Sequence, residues 1–268
     1  RQATRTEGVS MALLEIENLS MNFGKLQALS GLDLTVSEGE ILGLIGPNGA
    51  GKTTFFNLVT GTYRGSGGRI VFKGEDITHL ATHKIAQRGI ARSFQQTFLF
   101  AHATVLANVM MGCHIASAVG PVKELLHTKA AREMDTRARK TALEIIDFMG
   151  LTDLKDEPAG TLPHGHQRSL GVAIALACRP TLLLLDEPVT GMNPTESAEM
   201  VARIHQIREK GMTIVLVEHA MDVVMGVSDR IVVISLGSKI AEGRPEEIKT
   251  DPQVIEAYLG RRGTLDVA

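Results

Sequence analysis

Short, nearly continuous apolar runs in the second half of the chain predict buried β-strands. Residues 181–185 and 213–217 are almost entirely apolar, and residues 230–234 form a third run. Strands that are apolar on both faces are typical of a parallel sheet covered by helices on each side. A helical pattern over residues 197–210 separates two of these runs. This half of the chain is therefore predicted to be α/β.

The first half of the chain has a different pattern. Residues 12–46 alternate short apolar runs with turn residues, which predicts a small, largely antiparallel β region. The apolar run at residues 40–45 predicts a buried strand at the end of this region. Further short strands are predicted at residues 69–72 and 90–94. The antiparallel pattern of the first half and the parallel pattern of the second half predict that their strands belong to different sheets.

Strand signals vanish between about residues 101 and 160. Residues 122–149 have a helical period with a charged face and an apolar stripe, and Gly120-Pro121 marks the expected start. Gly150 is a plausible C-cap, because glycine readily adopts the left-handed conformation found there. We therefore expect an all-helical insertion of about 60 residues within the α/β frame.

The segment that follows residues 40–45 carries the strongest chemical signal. It matches the phosphate-binding P-loop pattern G-x-x-x-x-G-K-[ST] without a mismatch. Its glycines let backbone N–H groups turn inward around a triphosphate, which a Cβ would obstruct. Lys52 is placed to reach the β- and γ-phosphates, and the Thr53 hydroxyl to ligate Mg²⁺. A helix predicted to begin at Thr53 adds its N-terminal dipole.

Two other predicted strands end in residues that suit phosphate chemistry. Asp186 and Glu187 follow the strand at 181–185, so Asp186 is expected to ligate Mg²⁺, through water or directly. Glu187 is then placed to act as general base on the attacking water. His219, after the strand at 213–217, is a candidate hydrogen-bond donor to the γ-phosphate. Gln95 is a candidate sensor of Mg²⁺ or of the water.

Composition narrows the class of protein further. The 268 residues are 22% charged and 44% hydrophobic, with a net charge of −2, so nothing indicates a general attraction to nucleic acid. The two cysteines, Cys113 and Cys178, fit no metal or redox spacing, and a reducing compartment is expected. No apolar stretch approaches the ~18 residues that span a bilayer. Membrane association is therefore expected only through a partner.

Taken together, the motifs resemble the nucleotide-binding subunit of an ABC transporter, from about residue 13 to 259. Their order and spacing both agree with that family. The matching segments are Phe23 (stacking on adenine), Gly46–Thr53 (Walker A), Gln95 (Q-loop), 162–167 (signature), 182–186 (Walker B), Glu187 (catalytic glutamate), 190–193 (D-loop) and His219 (switch histidine).

The resemblance implies a fold, a cofactor set and a set of site residues. The fold is a P-loop NTPase with a RecA-like core, an N-terminal antiparallel β subdomain and an inserted α-helical subdomain. Glu187, His219 and Gln95 would be catalytic, and Thr53, Gln95 and Asp186 would hold Mg²⁺. ATP would contact Phe23, Gly46, Pro47, Asn48, Gly49, Ala50, Gly51, Lys52, Thr53 and Thr54, with Gly165 and His166 acting in trans.

Within this family the chain is most similar to the ATPase subunits of branched-chain amino-acid importers. The residues behind this interpretation are 186–194, 218–225 and 251–259, together with the long helical insertion. An importer assembly is implied, with a second ATPase subunit (a paralogue or a second copy), two membrane permease subunits and, indirectly, a substrate-binding protein. The chain would then lie on the cytoplasmic face of the plasma membrane, bound to the permease and not to nucleic acid.

The signature segment departs from the usual family form, L-S-G-G-Q. Pro163 replaces serine, which removes a hydroxyl and a backbone N–H, although proline suits the first turn of a helix. His164 replaces the first glycine and His166 the glutamine. The Gly165 N–H and the helix dipole remain available. His166 either supplies a donor in place of the lost hydroxyl or is a solvated residue at a helix start.

Two other functions are weighed against an importer. A non-transport ABC ATPase acting on ribosomes or DNA usually carries two such domains or a long coiled coil, and neither pattern is present in this sequence. A P-loop kinase needs an acceptor site and a mobile lid. His79 and His83, four residues apart, are expected to be a surface pair and not a metal site.

The domain organisation expected from these patterns is a single ABC ATPase domain at 12–268 after a leader at 1–11 that is disordered or a cloning remnant. Its parts are the β subdomain and P-loop core (12–95), the helical insertion with the signature segment (96–165), the remaining α/β core (166–240) and a helical tail (241–268).

Overall fold

A computed structural model describes residues 12–93, 99–116 and 129–259 of the chain, which contain two β-sheets. The larger sheet has six strands in the order β10-β9-β3-β8-β7-β6. The five strands from β9 to β6 are parallel, and β10 pairs with β9 in the antiparallel direction. Its strands are β3 (Ile41–Ile45), β6 (Ile90–Arg92), β7 (Leu182–Asp186), β8 (Thr213–Val217), β9 (Arg230–Ser235) and β10 (Ser238–Gly243).

The three central strands confirm the expectation drawn from the apolar runs. Every residue of β3, β7 and β8 is buried. Each parallel strand therefore has both faces covered, as the continuous apolar sequence predicts. The carboxyl ends of β3, β7 and β8 lie side by side at one edge of this sheet, which is where polar residues from different strands can meet.

The second sheet is antiparallel and has the order β2-β1-β4-β5. Exposed and buried positions alternate along much of β2, because one face of this sheet packs on the core and the other faces solvent. The predicted antiparallel region is confirmed, and the strand predicted at 69–72 joins this sheet. Its strands are β1 (Ala12–Phe23), β2 (Leu26–Ser37), β4 (Gly67–Phe72) and β5 (Glu75–Asp76).

Helices surround the larger sheet. They are α1 (Lys52–Val59), α2 (Thr82–Gln87), α3 (Val105–Ala116), α4 (Lys129–Phe148), α5 (His164–Ala177), α6 (Pro194–Glu209), α7 (Met221–Val227), α8 (Pro245–Thr250) and α9 (Pro252–Leu259), with short 3₁₀ turns at Thr152–Leu154 and Ala159–Thr161. None of the helices in the described ranges is long and apolar enough to cross a membrane.

The helical region between the β-strands has α3, α4 and α5 as its members, and each of the three packs on the other two. Gly112 lets α3 approach α5 closely, because a Cβ there would lie 2.5 Å from the Ile174 carbonyl oxygen. Gly150 adopts φ +69° two residues after α4 ends, which confirms the predicted C-cap. The predicted helix start at Gly120-Pro121 lies outside the described residues, as does the leader at 1–11.

Alternate residues of the parallel strands pack into different layers. Leu182, Leu184 and Val215 face the antiparallel sheet and α1, in one continuous core. Leu183 and Ile214 face the helices of the other side. The carboxyl ends of the strands thus lie between two rigid layers, which fixes the side chains that follow them.

Two expectations about isolated side chains can be compared with this fold. His79 precedes α2, whereas His83 lies within it, so the two do not share a helix face; both are exposed. Cys113 and Cys178 lie on the packed helix α3 and just after α5, and burial raises the pKa of both thiols, to about 11 for Cys178. Both thiols are thereby kept protonated and poorly reactive.

Candidate nucleotide-binding site

The P-loop lies between the end of β3 and the start of α1. A Cβ on Gly46 would lie 2.0 Å from the Ile234 carbonyl oxygen, and one on Gly51 would lie 2.6 Å from the Ala28 carbonyl oxygen. Only glycine fits these positions, so the loop backbone stays close to its neighbours. Tyr258 in α9 packs on the apolar cluster that contains Ile45, the residue directly before Gly46, and burial raises the pKa of its hydroxyl to about 12.

Lys52 opens α1 and is 6% exposed. Its Nζ donates to the carbonyl oxygens of Gly46, at 2.6 Å, and Pro47, at 3.1 Å. The ammonium group therefore lies inside the loop, where the phosphates of a nucleotide are expected. The helix predicted to begin at Thr53 begins one residue earlier.

A cleft of about 440 Å³ opens in front of this loop. It brings together residues that are far apart in the sequence, and many of the predicted site residues are among them. The lining residues are Phe23, Leu26, Gln27, Ala28, Asn48, Gly49, Ala50, Gly51, Lys52, Thr53, Thr54, Glu187, Val217 and His219.

Phe23 lies at the outer rim of the cleft and is 42% exposed. Its ring makes an edge contact with Tyr63, with 5.4 Å between the ring centroids. The ring is thus in contact with protein while the residue stays accessible, which leaves it able to stack on a flat base.

The side chains of Glu187 and His219 are hydrogen-bonded to each other. His219 Nε2 lies 2.9 Å from Glu187 Oε1, across the carboxyl ends of β7 and β8. The Thr190 hydroxyl donates to the other carboxylate oxygen at 3.4 Å. Glu187 has φ +49°, an uncommon conformation for a residue with a side chain, and its N–H donates to the Val217 carbonyl oxygen at 2.8 Å. The strand tips therefore fix both side chains at one point of the cleft.

Glu218 joins the segments that follow β7 and β8 by hydrogen bonds beneath the cleft. It is 2% exposed, and its Oε1 accepts from the Val189 N–H at 2.9 Å. Its Oε2 accepts from the N–H groups of His219, at 2.8 Å, and Ala220, at 3.3 Å. Three backbone donors thus satisfy this buried carboxylate. Glu218 was not predicted as a site residue; its place directly before His219, after a buried strand, was the available signal.

Asp186 ends β7 and is 4% exposed. Its carboxylate accepts from Arg92 Nη2 at 2.5 Å, and its N–H donates to the Ser93 hydroxyl at 3.0 Å. Arg92 and Ser93 were not predicted as site residues. They reach Asp186 because β6 pairs with β7, a neighbour that local sequence patterns do not identify.

The chain is similar to known proteins along most of its length. The family model described as "ABC transporter" matches residues 29–190, and one described as "Branched-chain amino acid ATP-binding cassette transporter" matches residues 238–264. The chain belongs to the ABC transporter family. It therefore carries an ABC ATPase domain, which binds nucleotide, and it is a transporter's ATP-binding subunit.

Two curated relatives and a solved structure agree with this assignment. The chain is 42% identical to the high-affinity branched-chain amino acid transport ATP-binding protein BraF of Pseudomonas aeruginosa, over 94% of this chain and 99% of the relative. It is 40% identical, with the same coverage, to the corresponding protein LivG of Escherichia coli. The ADP conformation of an ABC transporter's ATP-binding cassette shares the fold with a TM-score of 0.80, at 31% identity over 93% of this chain and 99% of the cassette.

These findings confirm the predicted family, the predicted branch and the predicted ABC ATPase fold. Several of the predicted site residues of this ABC ATPase do not line the cleft. The described residues that line the cleft do not include Gly165 or His166, nor the buried residues Gly46, Pro47 and Asp186. Gln95 falls outside the described residues, so its predicted role stays a prediction.

The signature segment of this ABC ATPase begins helix α5. Pro163 is at the N-cap with φ −55° and ψ 151°, one position before the first turn that the sequence suggested for it. The reason is that ψ is extended at this residue, so the helical conformation starts at His164. Gly165 is buried against Glu196, whereas the buried Nδ1 of His166 has no hydrogen-bond partner among the described residues.

Two residues in and behind the cleft suit a hard divalent cation. Thr53 lines the cleft and offers a hydroxyl oxygen at the start of α1, and Asp186 offers a carboxylate at the tip of β7; these are oxygen ligands of the kind that Mg²⁺ prefers. Within the described part of the chain, no three histidine, cysteine or acidic side chains cluster as a metal cage.

Proposed function

We propose that this chain is the ATP-hydrolysing subunit of an importer for branched-chain or related amino acids. The observation that carries the proposal is the cleft in which Phe23, the P-loop, Glu187 and His219 meet. The solute class rests on the two branched-chain amino acid transport relatives and on the match of residues 238–264.

ATP would lie along the cleft with its phosphates in the P-loop. Phe23 would stack on the adenine, and the N–H groups from Gly46 to Thr54 would surround the phosphates. Lys52 would exchange its two carbonyl partners for the β- and γ-phosphate oxygens, because an ammonium group gains more from an anion than from neutral carbonyls.

Thr53 and Asp186, with Gln95, would hold Mg²⁺. The ion would neutralise charge on the phosphates, which is the principal way in which proteins catalyse phosphoryl transfer. The chain's own contribution is positioning, since α1 and β7 are both packed into the same buried core.

Glu187 would take the proton of the attacking water. Its bond to His219 holds the carboxylate in the cleft before ATP arrives. His219 would then donate to the γ-phosphate, so that one imidazole orients both the base and the phosphoryl group that is transferred to water, with ADP as the leaving group.

A second ATPase subunit, a paralogue or another copy, would complete the site with its Gly165 and His166. Two permease subunits would bind the helical region, within the insertion proposed at residues 96–165, and would place the chain at the cytoplasmic face of the plasma membrane. A substrate-binding protein would act on the opposite side of the membrane. The N-terminal dipole of α5, where Gly165 lies, supports anion binding by the signature segment.

Substitution of Glu187 by Gln tests the proposal. We expect the variant to bind ATP with Mg²⁺ and to hydrolyse it at least ~100-fold more slowly, because glutamine cannot accept the proton. ATP binding and phosphate release are both measured, with Glu209→Gln, an exposed residue at the end of α6, as the matched control. Near-normal turnover by Glu187→Gln would contradict the general-base role, and failure of the unaltered chain to bind ATP would refute the function itself.

A further inference from the structure

The carboxylate of Asp186 already has a cation as its partner. The Asp186 side chain is 2% exposed and that of Arg92 is 19% exposed, with Nη2 and Oδ2 only 2.5 Å apart. A buried carboxylate without a counter-ion is costly, because few water molecules solvate it. Arg92 supplies that counter-ion through its guanidinium group.

The guanidinium of Arg92 is held from a second direction. Its Nη1 donates to Asn57 Oδ1 at 2.7 Å, and its Cζ lies 5.3 Å from the centre of the Phe56 ring. Both contacts come from α1, the helix that carries Thr53. Arg92 thus lies between the two elements that supply the proposed Mg²⁺ ligands.

We propose that Arg92 is a positioning residue that acts as the counter-ion of Asp186 in the nucleotide-free protein and competes with Mg²⁺ for this carboxylate. The inference rests on the proposed function, which makes Asp186 a ligand of Mg²⁺. Two cations that share one carboxylate repel each other, so each lowers the affinity of the other. Arg92 therefore gives up or shares Oδ2 when the ion binds.

This competition has a consequence for selectivity. A free Mg²⁺ ion gains one carboxylate in the cleft but has to overcome the field of Arg92. An ion that arrives with ATP brings the negative charge of the phosphates, which outweighs that of the single guanidinium. Arg92 would thus keep the nucleotide-free cleft a poor site for free metal and reserve Asp186 for the metal–nucleotide complex.

The test measures the Mg²⁺ concentration needed for half-maximal binding of a fluorescent ATP analogue by the full chain, with EDTA as the baseline for each protein. For Arg92→Gln we expect this concentration to fall roughly three- to tenfold, the range for loss of a partly buried charge partner. Arg88→Gln is the matched control, because it removes the same charge from an exposed pair with Glu75 and should leave the Mg²⁺ requirement unchanged.

A second variant keeps the test decisive if Arg92→Gln does not fold. Arg92→Lys retains the charge but cannot bond Asn57 and Asp186 together with one planar group, so a smaller shift in the same direction is expected. In an Asp186→Asn background, Arg92→Gln should cause no further change, because the shared carboxylate is gone.

The outcomes separate the inference from the proposed function. If the unaltered chain binds the analogue in a Mg²⁺-dependent way, but neither Arg92 variant needs less Mg²⁺, the competition does not exist and the inference is overturned. The same holds if either variant needs more. If the unaltered chain binds no analogue at any Mg²⁺ concentration, the proposed function fails and the inference fails with it.

Discussion

The nucleotide cleft and the signature segment differ in where their polar groups find partners. In and beneath the cleft, Lys52, Asp186 and Glu218 are each less than 10% exposed, and each has hydrogen-bond partners within the chain. At the start of α5, by contrast, the buried Nδ1 of His166 has no partner among the described residues. The buried polar groups of the cleft are thus satisfied by their own chain, whereas the signature segment keeps an unsatisfied ring nitrogen in the single chain.

Under the proposed function, this difference separates the groups that bind ATP within one chain from those that meet a second subunit. Binding of ATP requires groups that are pre-organised in one chain, and buried, fully bonded side chains provide that order. Closure of a second subunit requires groups that are not committed in the free chain. Changes in the cleft should therefore act on binding and chemistry, and changes in the signature segment should act on closure alone.

The largest effect is expected from Lys52→Ala, which removes the only ammonium group among the described residues that line the cleft. We expect ATP affinity to fall at least ~100-fold, because several charge-assisted hydrogen bonds to phosphate are lost. Calorimetric titration of ATP measures the effect, with Lys84→Ala at the surface helix α2 as the control. An affinity within threefold of the unaltered chain would show that the loop does not bind the phosphates.

A smaller loss is expected from Glu218→Ala, which removes the acceptor shared by Val189, His219 and Ala220. The Glu187–His219 pair should then lose its fixed geometry, and kcat should fall roughly ten- to hundredfold with KM for ATP changed much less. Steady-state kinetics separate the two constants.

The conservative change Glu218→Gln sharpens this prediction. Glutamine keeps one acceptor oxygen but turns an NH₂ group toward backbone donors, so partial recovery of kcat is expected. Equal losses in kcat and in ATP affinity would mean that Glu218 stabilises the whole cleft and does not position the pair.

The smallest effect is expected from His166→Ala, in the other region. ATP binding by the single chain and its melting temperature should hardly change, because the described residues give His166 Nδ1 no partner to lose. Dimer formation by Glu187→Gln in the presence of ATP and Mg²⁺ should weaken roughly three- to tenfold, measured by light scattering. Weaker ATP binding by the monomer would instead show that His166 contributes to the nucleotide site of its own chain. The two regions would then not differ in the way described.

Sequence predicts well those parts of the molecule in which the local pattern of residues also reflects their place in the fold. The apolar runs at β7 and β8 are buried over their full length, and the polar residues that follow them lie at the cleft because parallel strands end at a common edge. Gly46 and Gly51 of the P-loop are required by close backbone contacts, so their spacing is also visible in the sequence.

The parts that sequence misses depend on strand order and on side-chain reach. Arg92 bonds Asp186 because β6 lies beside β7, although the two residues are far apart in the chain. Glu218 points below the cleft while its neighbour His219 points into it, as the alternation of side chains at a strand end requires. Neither arrangement follows from the spacing of motifs.

The packing of Tyr258 has a consequence for folding during synthesis. A ribosome makes the P-loop early and helix α9 very late, and domains begin to fold while synthesis continues. Tyr258 packs on the apolar cluster that contains Ile45, the residue directly before the P-loop. The apolar residues at the entrance to the loop therefore lack this cover until residue 258 has emerged from the ribosome.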